Sequence, residues 1–145
     1  MAKKTTIELI FEDLVNAVTG IIEPKYIFTG GRPDVINSDS QVSKFVVITL
    51  PVSIEDIAVG NKKFMLTTTG AIDLFLKSKK DSTLNVNSTS EFVEQAAGLF
   101  PISGKVIAAA NPKVRMRGTD EHGYQFVTIT FDLHTKANVF SSLNV

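Results

Sequence analysis

The sequence contains no cysteine. That absence excludes disulfides, thiolate zinc sites, iron–sulfur clusters and a cysteine nucleophile together, and it fits folding in a reducing cytoplasm. Net charge is missing as well, since 15 Lys and Arg balance 15 Asp and Glu over 145 residues. A chain without net charge has no global field to draw it to nucleic acid or to an anionic membrane, and little repulsion to hold its copies apart. Charged residues make up only 21% of the chain against 43% apolar. This mild tilt fits a protein that hides part of its surface against partners. Long hydrophobic runs are absent too: the longest strongly apolar uncharged stretch runs only from Phe45 to Ile54, about half of the roughly 18–20 residues that a spanning helix needs. No membrane partner is therefore predicted. Lys3 and Lys4 imitate a basic leader, but Glu8, Glu12 and Asp13 interrupt the apolar region that would have to follow, so no secretory leader is predicted either.

Catalytic signatures are equally scarce. Gly104-Lys105 invites a phosphate-loop reading, yet the spacing from Gly98 is one residue too long and Val106 stands where a magnesium-binding hydroxyl belongs. A turn after a helix accounts for it better. No G-x-G-x-x-G, G-x-S-x-G or H-E-x-x-H pattern occurs. His122 falls in a turn and His134 near the far end of the following strand, up to roughly 40 Å away at about 3.3 Å per residue, so one subunit cannot join them on a metal. Glu12-Asp13, Glu55-Asp56 and Asp120-Glu121 are neighbours in sequence, which makes their side chains diverge. They read as solvated charge. The expectation is a protein that is not an enzyme and carries no cofactor and no metal.

What is present is a pattern of alternating periodicities. From Thr5 to Val18, Ile7, Ile10, Phe11, Leu14, Val15 and Val18 follow the spacing of one helical face, with a threonine to cap the start and Gly20 near the end. Tyr26 to Thr29 is β-prone, Gly30 to Pro33 reads as a turn, and 34–43 as irregular. Lys44 to Leu50 is a β-branched run ended by Pro51 and reads as a well-buried strand. Val52 to Lys62 reads as a loop or arm. Lys63 to Lys77 places Phe64, Leu66, Ile72, Leu74 and Leu76 on one face of a long strand, with a bend expected at Gly70. Ser88-Thr89-Ser90-Glu91 has capping-box spacing ahead of an apolar stripe at Phe92, Ala96, Leu99 and Phe100, which gives a second helix stopped by Pro101.

Val106 to Ala110 is either a short strand or a turn of helix. Lys113 to Arg117 alternates, Gly118 to Gly123 is a hairpin connection, and Tyr124 to Thr135 is a strand facing one way with Val127, Ile129, Phe131 and Leu133. The predicted fold class is α+β, a mostly antiparallel sheet with two helices packed on one face, in the order helix, strands, helix, strands. Residues 1–136 form the single domain. Residues 137–145 form a short apolar tail, with Phe140 docked either on its own domain or on a neighbour.

One surface feature stands out. Lys113, Arg115 and Arg117 fall on one strand face, with Val114 and Met116 on the other. Such a stripe contacts phosphates, contacts a partner's acidic surface, or is simply solvated; no aromatic residue is expected to share it and stack on bases.

An amphipathic N-terminal helix, a strand, the Gly31-Arg32-Pro33 turn, two long strands, a second helix and a closing hairpin through Lys136 together resemble the tail-terminator, tail-completion and head–tail connector (neck) proteins of tailed bacteriophages. The resemblance spans Thr5 to Lys136, with Gly-Arg-Pro as its one local match. The tail after Lys136 and the stretch Ser82 to Ser90 depart from it. It implies a virion protein assembled in the host cytoplasm as a homo-oligomeric ring, most simply a hexamer, which meets a tail tube or neck and portal proteins and lets DNA pass through its lumen. Sheet edges and loops would make the subunit contacts. The candidates here are Glu55, Asp56 and Asn61 of the arm, the basic stripe, Asp120, Glu121 and His122 of the hairpin turn, and Phe140. Two alternatives come from other classes: a ligand-binding module or enzyme with a pocket on a curved sheet around Asp132 or His134, and a DNA-binding accessory protein.

Overall fold

The structure, a computed structural model, describes residues 6–29, 43–49, 55–59, 62–77, 86–120 and 123–135. Helix α1 (Thr6–Val18) buries Ile10, Leu14 and Val18, one residue per turn along its inner face. A short 3-10 turn at Pro24–Tyr26 leads into strand β1 (Ile27–Thr29), which pairs in parallel with β2 (Lys44–Thr49). Every other pairing in the seven-stranded sheet is antiparallel. The Gly31-Arg32-Pro33 turn, Asn61, Glu121, His122 and Phe140 lie outside the described residues.

The predicted arm contains a strand. β3 (Glu55–Val59) pairs with the start of β4 (Lys62–Lys77), Glu55 opposite Thr67 and Asp56 opposite Leu66. β4 then continues through the middle of the sheet, between β2 and β7 (Tyr124–Thr135). Its pairing with β7 runs unbroken through Gly70, and the glycine answers a need for space: a Cβ there would stand 2.6 Å from the Phe131 ring. β5 (Ile102–Ser103), too short to carry a period, and β6 (Ile107–Thr119) complete the order β1-β2-β4-β7-β6-β5, with β3 off this path beside β4. Val106 to Ala110 and Lys113 to Arg117 thus belong largely to one strand.

Helix α2 (Val86–Ala97) begins before the Ser88–Glu91 capping box, which therefore lies inside the helix. The buried stripe explains the earlier start, because Thr89, Phe92 and Ala96 are spaced three and four apart. The Thr89 hydroxyl is buried without a hydrogen-bond partner. Both helices pack on the same face of the sheet, where Ile10, Leu14 and Phe92 join Ile48, Ile72 and Ile129 in one cluster. The fold class is the predicted one.

Two features went unforeseen. The face away from the helices has its own core, in which Phe45 is 0% exposed and packs with Val47, Phe75 and Tyr124. Phe45 lies parallel to Phe75 at 4.5 Å, Phe75 parallel to Phe126 at 5.1 Å, and Tyr124 and Phe28 stand edge-on to Phe45. The second is Asp13, expected as solvated charge but only 7% exposed. Its Oδ2 accepts hydrogen bonds from the Val106 N–H at 2.7 Å and the Ile107 N–H at 3.1 Å. The carboxylate thereby ties α1 to the turn between β5 and β6. That turn passes so close that any Cβ at Gly104 would collide with Asp13. Gly104-Lys105 is a turn as predicted, and Asp13 is the reason a glycine stands in it.

Candidate assembly interface

β6 changes character along its length. Ile107 and Ala109 point into the helix-side core and pair opposite Thr135 and Leu133. Between Ala110 and Lys113 the register shifts, with Asn111 at a φ of 58° and its side-chain amide donating to Asp132 Oδ2 at 3.0 Å. This bulge inserts an extra residue, and from there Val114 and Met116 take the helix side, opposite Ile129 and Val127. Val114 is nevertheless 47% and Met116 58% exposed there.

Lys113 and Arg115 consequently take the other face, opposite Thr130 and Thr128. Arg117 sits in a second register shift between Met116 and Gly118, its guanidinium 6.0 Å from the centre of the Phe126 ring. The basic stripe is thus present as predicted, but the expectation that no aromatic stands beside it needs correction. Phe126 comes from the neighbouring strand, which alternation within β6 could not reveal. All side chains from Lys113 to Thr119 are exposed. β5 covers only Ala108 and Ala109, so among the described residues no strand pairs with the outer edge of β6 beyond them.

The arm offers a second edge. β4 meets β7 only from Thr67 onward, so residues 62–66 pair with β3 alone among the described residues. β3 lies on the β2 side of β4, beyond the stretch that β2 itself covers. The two edges therefore occupy opposite corners of the sheet, with the acidic Glu55 and Asp56 on one strand and the basic residues on the other.

Asp120 is not a free surface carboxylate. Its Oδ1 accepts the Tyr124 N–H at 2.9 Å while its own N–H donates to the Tyr124 carbonyl at 2.7 Å, which fixes the β6–β7 turn. On the same side of the sheet as the stripe, the Thr128 hydroxyl donates to Asp73 at 2.6 Å. Lys25, over the Tyr26 ring and 3.5 Å from Glu23, is held above the usual lysine range by its hydrogen bond to Tyr26 and then by Glu23.

The pocket reading finds no support at its chosen residues. Asp132 is exposed and engaged by Asn111, and His134 pairs across the sheet with Thr67 and Ala108. Two clefts, of about 310 and 480 Å³, open beside α2 at Lys44 and beside α1 at Asp13, and neither is lined by Asp132 or His134. Among the described residues no group of three His, Asp or Glu side chains could hold a metal ion, and no helix is long and apolar enough to cross a membrane.

No family model and no curated protein matches the chain. Among solved structures, one known only by a sequence identifier matches with a TM-score of 0.58 at 10% identity, covering 92% of this chain and 97% of its own. The likeness extends over the whole fold and concerns the fold alone. A component of the virion of a native gene transfer agent particle matches with a TM-score of 0.49 at 10% identity, covering 87% of this chain and 90% of its own, a likeness too slight to bear on function.

Proposed function

We propose that this chain is a structural virion subunit that assembles with its own copies into a ring, at the tail end or the head–tail junction of a phage-like particle, and that it catalyses no reaction. The observation that carries this reading is the outer edge of β6, a run of exposed residues from Lys113 to Thr119 that ends a large sheet with no strand beside it among the described residues. A strand edge of this kind is a template for pairing with another chain, and Val114 and Met116 add exposed apolar surface to it. The order helix, strands, helix, strands with both helices on one face is also the order on which the resemblance to terminator and neck proteins rests.

The test is the mass of the purified protein by light scattering, together with negative-stain images. Closed rings, in solution or on added tail tubes, are expected. A protein that stays monomeric at high concentration and joins neither tubes nor portals would sink the proposal.

A second reading, contact with DNA, draws on Arg117 over Phe126 beside Arg115 and Lys113. If the stripe touches phosphates, Arg115→Ala with Arg117→Ala should lower the salt dependence of DNA binding by about one to two units of slope. Unchanged binding in a filter or fluorescence titration assigns the stripe to protein contact instead.

A further inference from the structure

The geometry points to one particular contact between copies, in which strand β3 of one subunit adds to the outer edge of β6 in the next. It rests on the ring reading above and names the surfaces that would close the ring. Among the described residues no strand pairs with the outer side of β3 or with β6 beyond Ala109, and the two lie at opposite corners of the same sheet. Joining them makes a head-to-tail contact, the heterologous type that generates rings when the rotation closes.

Two observations select this pairing over others. The lengths agree, since β3 has five residues, or about 17 Å of strand, and the exposed part of β6 from Lys113 to Thr119 is long enough to receive all of it. The charges agree as well. Glu55 and Asp56 begin β3, whereas Lys113, Arg115 and Arg117 stand on β6; pairing β6 with a second β6, or β3 with a second β3, would set like charges side by side.

Charge exchange tests this directly. Glu55→Lys with Asp56→Lys, and separately Arg115→Glu with Arg117→Glu, should each weaken self-association by about a hundredfold and leave mainly monomer by light scattering. All four substitutions in one chain, or an equimolar mixture of the two pairs, should restore the wild-type mass. Circular dichroism and the melting temperature show whether each variant is folded, and the reciprocal rescue cannot arise from misfolding. Wild-type rings that persist in both single-pair variants, or a folded four-site variant that stays monomeric, would overturn the contact while leaving the ring reading intact. A wild-type protein that is monomeric throughout would remove both.

Discussion

Phe45→Ala is expected to cost about 3–5 kcal/mol of folding stability, and with it about 10–15 °C of melting temperature. Phe45 is fully buried on the sheet face that carries no helix. Truncation removes the transfer energy of the ring and leaves a cavity whose walls are strand-borne aromatics held in a ladder, with little freedom to collapse. It also removes the stacking on Phe75 and the edge contacts with Tyr124 and Phe28, each worth about 0.5–1.5 kcal/mol beyond area. Phe45→Leu keeps most of the volume and should cost about half as much. Thermal unfolding followed by circular dichroism measures both. A loss below about 1 kcal/mol for the alanine variant would show that this face is not a second core.

Asp13→Ala should destabilise the protein by about 2–4 kcal/mol. One carboxylate oxygen accepts both the Val106 and Ile107 N–H groups. Its removal strands two backbone donors, the second of them buried, and an unpaired buried donor costs about 1–3 kcal/mol. Asp13→Asn retains a neutral acceptor and should lose roughly half of that. Gly104→Ala approaches the same site from the other side by pushing a methyl group into the carboxylate. Combined with Asp13→Ala it should cost less than the sum of the two changes, because the collision disappears with the side chain. Denaturant titration of the four proteins gives the comparison, and strict additivity would refute the direct contact.

The long elements were legible because each has one face in the core and repeats that fact every second or every third and fourth residue. β7 and α1 match their predicted spans almost residue for residue. β3 and β5 carry no strand signature in the sequence, for opposite reasons. β5 is too short to show a period, and β3 opens on two acidic residues that read as solvent-facing loop.

Burial of the second face was legible, but not what covers it. In Phe45-Val46-Val47-Ile48 and Leu74-Phe75-Leu76 both phases are apolar, which marks a strand covered on both faces without showing that aromatics from several strands do the covering. Asp13 lacked any side-chain signature because its partners are backbone N–H groups more than ninety residues away; the glycine at 104 was the trace it left. At the interface, the basic stripe was legible from alternation alone. The aromatic beside it was not, because that contact crosses from one strand to the next.

The bulge after Ala110 works as a change of phase. Ahead of it, odd-numbered residues of β6 face the helices; beyond it, as far as Met116, even-numbered ones do. Had the strand kept a single phase, Lys113 and Arg115 would have emerged on the helix side, with Val114 and Met116 on the aromatic side. One inserted residue thus decides which side of the molecule carries positive charge. At this point of the chain the count of residues holds more information than their identity.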